Sequence, residues 1–272
     1  MVKTNDPSLW LSAIPWPGAQ THKHTRGRLG VVSGGALRTG AARLAARAGL
    51  RVGAGLVRLL CPPDAARVVA GAVEAIMVEA FETPDALATL TGPMQAVVIG
   101  PAAGLDEATV ANLTAIAGGD AALVVDADAL TIFAGRPGDL FALLGERDVI
   151  TPHEGEFERL FPGLLEQGRE SAARLAAERS GAVVVLKGSR TLIAAPDGRM
   201  VVQPEASPWL ATAGSGDVLA GMIGGWLAQG MSAFDAACAG VWMHADAAAR
   251  FGPGMIAEDL PEQIPHVLRS LR

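Results

Sequence analysis

The stretch VVVLKG at residues 183–188 runs from four apolar residues directly into a lysine and a glycine. Short apolar runs that stop at glycine or polar residues recur in LGVVS (29–33), AVVI (96–99), LVV (123–125) and VI (149–150). Ala-rich stretches with helical spacing separate these runs. Apolar strands that alternate with helices are typical of a parallel sheet covered on both faces. We therefore predict an α/β fold, a three-layer sandwich whose central sheet is mostly parallel.

The individual elements follow from these patterns and from the glycine and proline breaks between them. Expected strands cover 29–33, 56–61, 75–78, 96–99, 123–125, 149–150, 183–186, 192–195 and 200–202. Expected helices cover 40–52, 106–117, 167–180, 218–229 and 233–250. PDG at 196–198 predicts a hairpin turn between the last two strands. We expect one domain over 1–272, with an irregular Pro-containing lead at 1–21.

The composition excludes several classes of protein. The net charge of −6 comes without any basic stripe, so we expect no nucleic-acid partner. The longest uncharged run, 218–234, is too short for a membrane span, and residues 1–20 lack the apolar core of a signal peptide. Cys61 and Cys238 have no metal-site spacing. Two reduced, buried thiols in a cytoplasmic protein are the expected arrangement.

Polar and glycine residues follow the predicted strands at their carboxyl ends, where α/β sheets bind ligands. The segments that share this position are Gly34-Gly35, Gly100-Pro101, Asp126, Thr151-Pro152-His153 and Lys187-Gly188. No GxxxxGK[ST] phosphate loop occurs and no GxGxxG follows a strand, which argues against a P-loop NTPase or a Rossmann dehydrogenase.

The pentapeptide Ala213-Gly214-Ser215-Gly216-Asp217 precedes the predicted buried helix 218–229. A glycine-rich turn that opens a helix offers unpaired N–H groups and the positive end of the helix dipole to an anion. Gly214 and Gly216 permit left-handed backbone and close approach to a phosphate. Asp217 places a carboxylate beside that anion site, as a general base or acid. The alternative is that Asp217 merely caps the helix.

Three further segments carry polar groups at the same edge. Lys187-Gly188-Ser189-Arg190-Thr191 forms a strand–turn–strand that lines an adenine or ribose site, or is a plain β-turn. His153 is a candidate ligand-binding residue at a strand end. Asp126 and Asp128 either hold Mg²⁺ through water or cap the following helix.

Together these segments resemble a known family. HKHTRGRLGVVSGG, TGAARLAARAGLRVGAGLV, IGPAAGLD, DADAL, TPHEGEF, VLKGSRT and ATAGSGDVLAG occur in the order found in the ADP-dependent NAD(P)H-hydrate dehydratases, which have the ribokinase-like fold. The resemblance extends from about His22 to Leu260. It implies removal of water from the (S) epimers of NADHX and NADPHX, the hydrated forms of NADH and NADPH, with ADP as co-substrate and Mg²⁺ bound with the nucleotide.

The resemblance also assigns site residues. Ala41 in TGAA, Gly104 in GPAAG and His153 in TPH match positions that contact the hydrate, and Asp217 matches the catalytic acid–base. The positions that match the nucleotide site are Lys187, Gly188, Ser189, Arg190, Thr191 and Gly216. No protein metal ligands are implied. Two segments depart from the family pattern: Ala102 replaces a glycine of GPGLG, and Ser207-Pro208-Trp209-Leu210 replaces Asn-Pro-Gly-Met.

Two other functions remain open at this point. A kinase of the same fold, acting on a hydroxymethyl thiazole or pyrimidine, would use Asp217 as a base and would need ATP. A nucleotide-binding regulatory module would not need Asp217 at all.

The partners follow from the resemblance and from the apolar content. Family members with an N-terminal epimerase domain are common, so we expect a separate protein to epimerise the (R) form. Trp226, Trp242 and Phe251 predict apolar surface that a partner covers, and the family resemblance indicates a homotetramer.

Overall fold

The computed structural model describes residues 2–272, and within them ten strands form a single sheet. The strands are β1 (Lys3–Thr4), β2 (Arg28–Val32), β3 (Leu56–Cys61), β4 (Met77–Ala80), β5 (Ala96–Ile99), β6 (Ala122–Val125), β7 (Val149–Ile150), β8 (Val183–Leu186), β9 (Thr191–Ala194) and β10 (Met200–Gln203). Their order across the sheet is β1-β10-β9-β8-β7-β6-β5-β2-β3-β4. Only β9 runs antiparallel to its neighbours β8 and β10. The mostly parallel sheet is thus confirmed.

The helices connect these strands. They are α1 (Gly40–Val52), α2 (Pro63–Ala70), α3 (Pro84–Thr91), α4 (Glu107–Ala117), α5 (Asp128–Thr131), α6 (Pro137–Phe141), α7 (Glu154–Leu160), α8 (Arg169–Ser180), α9 (Ser215–Ala228), α10 (Ala233–Phe251) and α11 (Asp259–Leu271). Short 3₁₀ turns lie at Pro7–Leu9, Leu11–Ala13, Leu164–Gln167 and Pro208–Leu210. Among residues 2–272, no helix is both long enough and apolar enough to cross a bilayer.

The sheet separates two hydrophobic cores, because successive side chains of a strand point to opposite faces. In β5, Ala96 and Val98 enter one core while Val97 and Ile99 enter the other. Helices α1, α2, α9, α10 and α11 cover the first face, and α3 to α8 cover the second. This arrangement confirms the three-layer sandwich and explains why most strands read as continuous apolar runs.

Helices α1 and α9 pack side by side through small residues, and this contact is called the α1–α9 seam below. A Cβ on Gly221 would lie 2.0 Å from the carbonyl oxygen of Ala45, and one on Gly225 would lie 2.9 Å from the Cα of Gly49. The two pairs keep the same offset, so the helices run parallel. Continued by one turn towards both N-termini, this register brings Ala41 level with Asp217.

The direction in which the chain adds strands to the sheet reverses at β2, which lies between β3 and β5. The chain builds outward from β2 to β4, returns to β5, and then builds the other side of the sheet. Ligands bind α/β sheets at such a switch point, beyond the carboxyl ends of the strands. The loops after β2 and β5 meet there, since a Cβ on Gly34 would lie 2.0 Å from the carbonyl oxygen of Ala102.

Several elements differ from those expected. β4 covers 77–80 rather than 75–78, because its pairing with β3 sets the register and includes Glu79, which binds Arg58 at 2.9 Å. α8 begins at Arg169, after a 3₁₀ turn. α9 begins at Ser215 rather than at residue 218, because Gly214 adopts a left-handed φ of 90° and serves as the N-cap.

Two expectations about the surface and the lead also need correction. The lead at 1–21 contains β1, which pairs with β10, and two 3₁₀ turns; Met1 lies outside the described residues. Trp226 is 1% exposed within the monomer, and Trp242 is half-buried against the same core. Of the three residues expected to form apolar surface, only Phe251 is exposed. Cys61 and Cys238 are free and buried, as expected.

Candidate active site

The start of α9 has a glycine turn and no side-chain cap, a geometry that can accommodate an anion. Gly214 turns the chain into the helix, and a Cβ there would lie within 2.9 Å of both Leu44 and Ala257. The first N–H groups of a helix have no carbonyl one turn earlier to bond; here these include Gly216 and Asp217. Gly216 itself has helical backbone and does not adopt the left-handed conformation that the sequence permits, but its missing side chain leaves space beside its amide.

Asp217 lies in the first turn of α9 and does not cap the helix. Gly214 occupies the N-cap position and no side chain caps the first turn, so the capping alternative is wrong. The pKa of Asp217 is raised to about 6: burial is the largest cause, the charges of Asp126 and Asp128 act in the same direction, and the charge of Lys187 opposes them. A carboxyl with this pKa exchanges protons near neutral pH, which suits a general acid or base.

Lys187 is the cation at the centre of the site. Its Nζ lies 2.7 Å from Oδ1 of Asp126 and 4.0 Å from Oε2 of Glu156, and a Cβ on Gly216 would lie 3.6 Å from it. Burial favours the neutral amine, but the charges of Asp126, Glu156 and Asp217 outweigh it and raise the pKa of Lys187. Lys187 therefore stays an ammonium ion beside the first turn of α9.

His153 and Glu156 form a reciprocal cap at the start of α7. Nδ1 of His153 accepts from the amides of Gly155 at 3.0 Å and Glu156 at 3.2 Å, while Glu156 accepts from the His153 amide at 2.8 Å. Because Nδ1 accepts, the proton of the neutral ring lies on Nε2, 3.4 Å from Oε1 of Glu156. The His153 side chain is 56% exposed, so its ring remains accessible to a ligand.

Glu156 is a buried carboxylate that the sequence reasoning did not single out. Burial raises its pKa, and the charge of Lys187 opposes that effect. Its side chain links the exposed His153 to Lys187 in the interior of the site. The spacing of His153 and Glu156 is that of a capping box, which is the signal that would have revealed it.

The turn between β6 and α5 carries Asp126 and Asp128 to the site. Ala127 between them has φ 51° and ψ −120°, which an L-residue adopts only under strain. Asp126 binds Lys187, and Oδ2 of Asp128 accepts from the amide of Gly104 at 2.9 Å. Neither aspartate caps α5. The turn therefore connects the Lys187 cluster to the loop after β5.

The residues expected to contact the hydrate converge on the same edge of the sheet. Gly104 is buried with φ 105°, and a Cβ there would lie 3.8 Å from Nη1 of Arg38. Ala41 lies in the first turn of α1, which the α1–α9 seam aligns with Asp217. His153 reaches the group through Glu156 and Lys187. The edge thus brings together elements that are far apart in the sequence.

A cavity of about 710 Å³ opens beside the start of α9 and the turn after β8. Of the residues expected to hold a nucleotide, those that line it are Lys187, Gly188, Ser189, Thr191 and Gly216. Leu219 and Val241 add apolar walls, and His244 adds a polar one. Pockets of this size and mixed lining are typical of small-molecule sites. Arg190 is not among the lining residues.

Arg169 supports this turn from beneath and was not predicted. Its Nη2 donates to the carbonyl oxygens of Lys187 at 3.3 Å and Arg190 at 3.1 Å, and its Nη1 binds Glu154 at 2.8 Å. A Cβ on Gly188 would lie 2.6 Å from the guanidinium, so a side chain there would displace Arg169 from its carbonyl partners. Nothing in the sequence near Arg169 indicates this long-range contact.

A metal ion held by protein side chains alone does not fit the site. Within residues 2–272, no three His, Cys, Asp or Glu side chains are arranged to hold an ion together. Mg²⁺ commonly binds through phosphates and water with one or two carboxylates. Asp217 lies in the first turn of α9 and Asp126 lies beside Gly216, so these carboxylates fit an ion that arrives with a nucleotide.

The strand order, the two helix layers and an aspartate in the first turn of α9 define a ribokinase-like enzyme. A solved ADP/ATP-dependent NAD(P)H-hydrate dehydratase from Bacillus subtilis, co-crystallised with ATP and Mg²⁺, superposes with a TM-score of 0.86 and 25% identity, covering 100% of this chain and 99% of that one. A hydroxyethylthiazole kinase from Pyrococcus horikoshii shares the fold at a TM-score of 0.63 and 15% identity, over 96% and 95% of the two chains.

The sequence comparison is more specific than the fold. The profile of the NAD(P)H-hydrate dehydratases matches residues 29–267, and the chain belongs to this family of hydro-lyases. The bifunctional NAD(P)H-hydrate repair enzyme Nnr of Gloeobacter violaceus is 43% identical over 236 residues, 84% of this chain and 46% of that protein. Nnr of Mycobacterium leprae is 38% identical over 261 residues, 94% of this chain and 53% of that protein. The chain thus spans about half the length of these relatives.

Proposed function

We propose that this protein catalyses the ADP-dependent dehydration of (S)-NADHX and (S)-NADPHX to NADH and NADPH, a repair of damaged nicotinamide nucleotides. The observation that carries the proposal is Asp217, a partly buried carboxyl with a pKa of about 6 in the first turn of α9. It follows Gly216, which lines the cavity beside Lys187, and it is level with Ala41 on α1, which is expected to contact the hydrate. Membership of the dehydratase family supports the same assignment.

The chemistry requires that a hydroxyl group on a carbon next to the ring nitrogen become a leaving group. In one route, Asp217 accepts the hydroxyl proton while the hydroxyl oxygen bonds to the terminal phosphorus of ADP, and the bond from that phosphorus to the bridging oxygen breaks to release AMP. The carbon–oxygen bond then breaks with loss of phosphate, and the adjacent ring carbon loses a proton to form the double bond. In the other route, Asp217 donates a proton and water leaves directly. A requirement for ADP favours the first route.

The cavity beside Lys187 is the proposed nucleotide site. The amides at the start of α9 would bind phosphate, and the ammonium group of Lys187 would balance its charge. Gly188, Ser189 and Thr191 line the cavity beyond Lys187, where the adenosine would lie. Arg190 does not line the cavity, but it remains a proposed nucleotide-binding residue because it lies in the same exposed turn, between Ser189 and Thr191. Mg²⁺ bound with the nucleotide would neutralise phosphate charge, with Asp126 and Asp217 as its nearest carboxylates.

The hydrate is proposed to bind at the β2–β5 switch point. Ala41 and Gly104 present small residues there, so a flat ring can approach the backbone closely. His153, with its proton fixed on Nε2, would donate a hydrogen bond to the carboxamide or the hydroxyl group. Asp217 would then lie between the hydroxyl group and the phosphate-binding amides.

The direct test is to incubate the protein with (S)-NADHX, Mg²⁺ and ADP and to follow the return of the absorbance of the reduced nicotinamide. Substrate labelled with ¹⁸O in the hydroxyl group separates the two routes, because the label ends in phosphate by the first and in water by the second. Absence of turnover with either ADP or ATP would contradict the proposal.

A kinase remains the second candidate, because a base in this position also suits phosphorylation of an alcohol, and the thiazole kinase shares the fold. The kinase would require ATP and would release a phosphorylated alcohol. A regulatory module without turnover is less compatible with the intact Asp217 and its raised pKa.

Three further expectations stay predictions. We propose a homotetramer. Trp226 does not support it, because this side chain is buried within the single chain. Light scattering that gives the 27.8 kDa mass of one chain would show a monomer. A cytoplasmic location is expected. Residues 1–272 are expected to leave the (R) epimer unconsumed, so its epimerisation would need a domain or protein outside these residues.

A further inference from the structure

His244 lies on α10, is almost fully buried, and reaches the first turn of the neighbouring α9. Its Nε2 lies 2.9 Å from the carbonyl oxygen of Ser215. A carbonyl oxygen only accepts, so Nε2 carries the ring proton. The pKa of His244 is lowered to about 4, mainly by burial and also by the nearby charge of Lys187, while the bond to Ser215 acts in the opposite direction. The ring is therefore an uncharged donor with a fixed tautomer.

The hydrogen bond from His244 is made to the peptide unit that joins Ser215 to Gly216. The carbonyl of Ser215 and the N–H of Gly216 belong to the same planar group, and their directions are opposite. The carbonyl points along α9 towards its C-terminus, while the N–H of Gly216 points out of the N-terminal end. A side chain that holds the oxygen therefore also fixes the direction of the N–H.

We propose that His244 is a positioning residue, which orients the Gly216 amide towards the phosphate groups of the bound nucleotide. This inference rests on the proposed function, because it takes the nucleotide to bind with its phosphates at the start of α9. The same cavity is lined by His244, Gly216 and Lys187, so the ring stands beside the ligand that its bond would influence.

The packing of α10 on α9 makes the bond rigid. A Cβ on Gly240 would lie 2.7 Å from Cγ1 of Ile223, so glycine permits the two helices to approach closely. His244 follows one turn later on the same face of α10. Lys187 is the charged group that acts on the ring, and it disfavours a protonated, positively charged His244.

A positioning role and a simple packing role predict different results. If His244 only fills space, a phenyl ring of similar size would replace it. If it orients the Gly216 amide, the loss of the donor would weaken ligands that carry phosphate and spare those that do not. ADP and adenosine form the matched pair of ligands for this distinction.

The experiment measures the binding of both ligands by calorimetry in four variants. His244→Phe should weaken ADP about tenfold and leave adenosine unchanged. His244→Gln should restore most of the ADP affinity, because its amide reaches the position of Nε2, whereas the shorter His244→Asn should not. Met243→Leu, a buried volume-conserving change on α10 outside the cavity lining, should bind both ligands like the parent.

The outcomes separate this inference from the proposed function. ADP affinity in His244→Phe equal to that of the parent, or an equal loss for ADP and adenosine, would overturn the positioning role alone. A parent protein that does not bind ADP would overturn the proposed function and this inference with it. Thermal unfolding reports whether each variant is folded. If His244→Phe is unfolded, the ADP affinities of His244→Gln and His244→Asn test the positioning role, and equal affinities in these two variants would overturn it.

Discussion

The carboxyl edge of the sheet has two halves that meet a ligand in different ways. The charged half follows β6, β7 and β8 and presents the ionisable side chains of Asp126, Glu156 and Lys187. The glycine half follows β2 and β5 and presents glycine backbone, at Gly34 against the carbonyl oxygen of Ala102 and at Gly104 with a φ of 105°. Asp217 on α9 lies between them. One half acts through charge and the other through the absence of side chains.

This difference determines how each half responds to substitution. In the charged half, a carboxylate that loses its partner is left partly buried and unpaired, which is costly even if the shape is kept. In the glycine half, the cost comes from added atoms: a Cβ on Gly34 would lie 2.0 Å from the carbonyl oxygen of Ala102, and Gly104 has a φ of 105° that disfavours a side chain. Both halves contain strain, since Ala102 and Ala127 are the non-glycine residues with positive φ among residues 2–272, one in each half.

The largest effect is expected for Asp217→Asn, which removes the proposed proton-transfer group between the two halves. The change is nearly isosteric and Asp217 is not the cap of α9, so the fold and ADP binding should persist. Turnover should fall by on the order of 10²–10⁴-fold. Steady-state assays with NADHX together with ADP titration check this, and near-normal turnover would remove Asp217 from the mechanism.

Lys187→Met tests whether the charged half depends on a single cation. It leaves Asp126, Glu156 and Asp217 without their ammonium partner, and we expect a loss of about 3 kcal/mol in the free energy of unfolding. The pKa of Asp217 should rise further, because Lys187 now lowers it. Denaturant titration measures the loss, and Lys187→Arg is the charge-retaining control. A stable Lys187→Met protein would show that the carboxylates neutralise themselves by protonation.

Gly216→Val and Gly216→Ala test the boundary between the halves. A Cβ at this position would make ordinary contacts, 3.6 Å from Lys187 and 3.9 Å from Asp126, so alanine should be tolerated. The branched valine adds atoms where the phosphate would lie and should weaken ADP by about tenfold or more. Calorimetric titration that finds equal ADP affinity in both variants would contradict the placement of phosphate at α9.

The pH dependence should follow the ionisation of Asp217. Its pKa of about 6 means that the carboxylate, the form that accepts a proton, predominates above that pH and is lost below it. At one pH unit below the pKa about a tenth remains ionised, so kcat/KM should fall about tenfold there. A pH–rate profile without a limb near 6 would show that another group accepts the proton.

The smallest effects are expected for the two strained alanines. Ala102→Gly and Ala127→Gly each remove a Cβ from a left-handed residue, and each should stabilise the protein by up to about 1 kcal/mol. They should differ in activity. Ala127→Gly loosens the turn that holds Asp126 and Asp128 and should lower kcat, whereas Ala102→Gly should not. Equal kinetics for both variants would remove this distinction between the halves.

The sequence predicted the layers better than the details of the site. Apolar runs such as β5 and β8 can be read directly, because a strand buried on both faces excludes polar residues. β4 was shifted because it lies at the edge of the sheet, where Glu79 is tolerated. The start of α9 was placed three residues late, because the apolar run begins only after the glycine turn and Asp217.

The site residues divide in the same way. Asp217, Lys187 and His153 lie in local motifs at strand ends, so the sequence indicates them, although their assigned roles stay predictions. Arg169 and His244 act through carbonyl groups that lie about 20 to 30 residues away, and no local pattern specifies such contacts. The capping-box spacing of Glu156 was readable, but its contact with Lys187 depends on the fold.

The α1–α9 seam also bears on how the chain is made. Near the end of the seam, Gln229 donates to the carbonyl of Val52, 177 residues earlier. During synthesis, α1 leaves the ribosome long before the helix that covers its small-residue face exists. Contacts between such distant residues form slowly, and surface left open in the meantime invites aggregation. Chaperone dependence and sensitivity to C-terminal truncation should therefore exceed what the stability of the finished protein suggests.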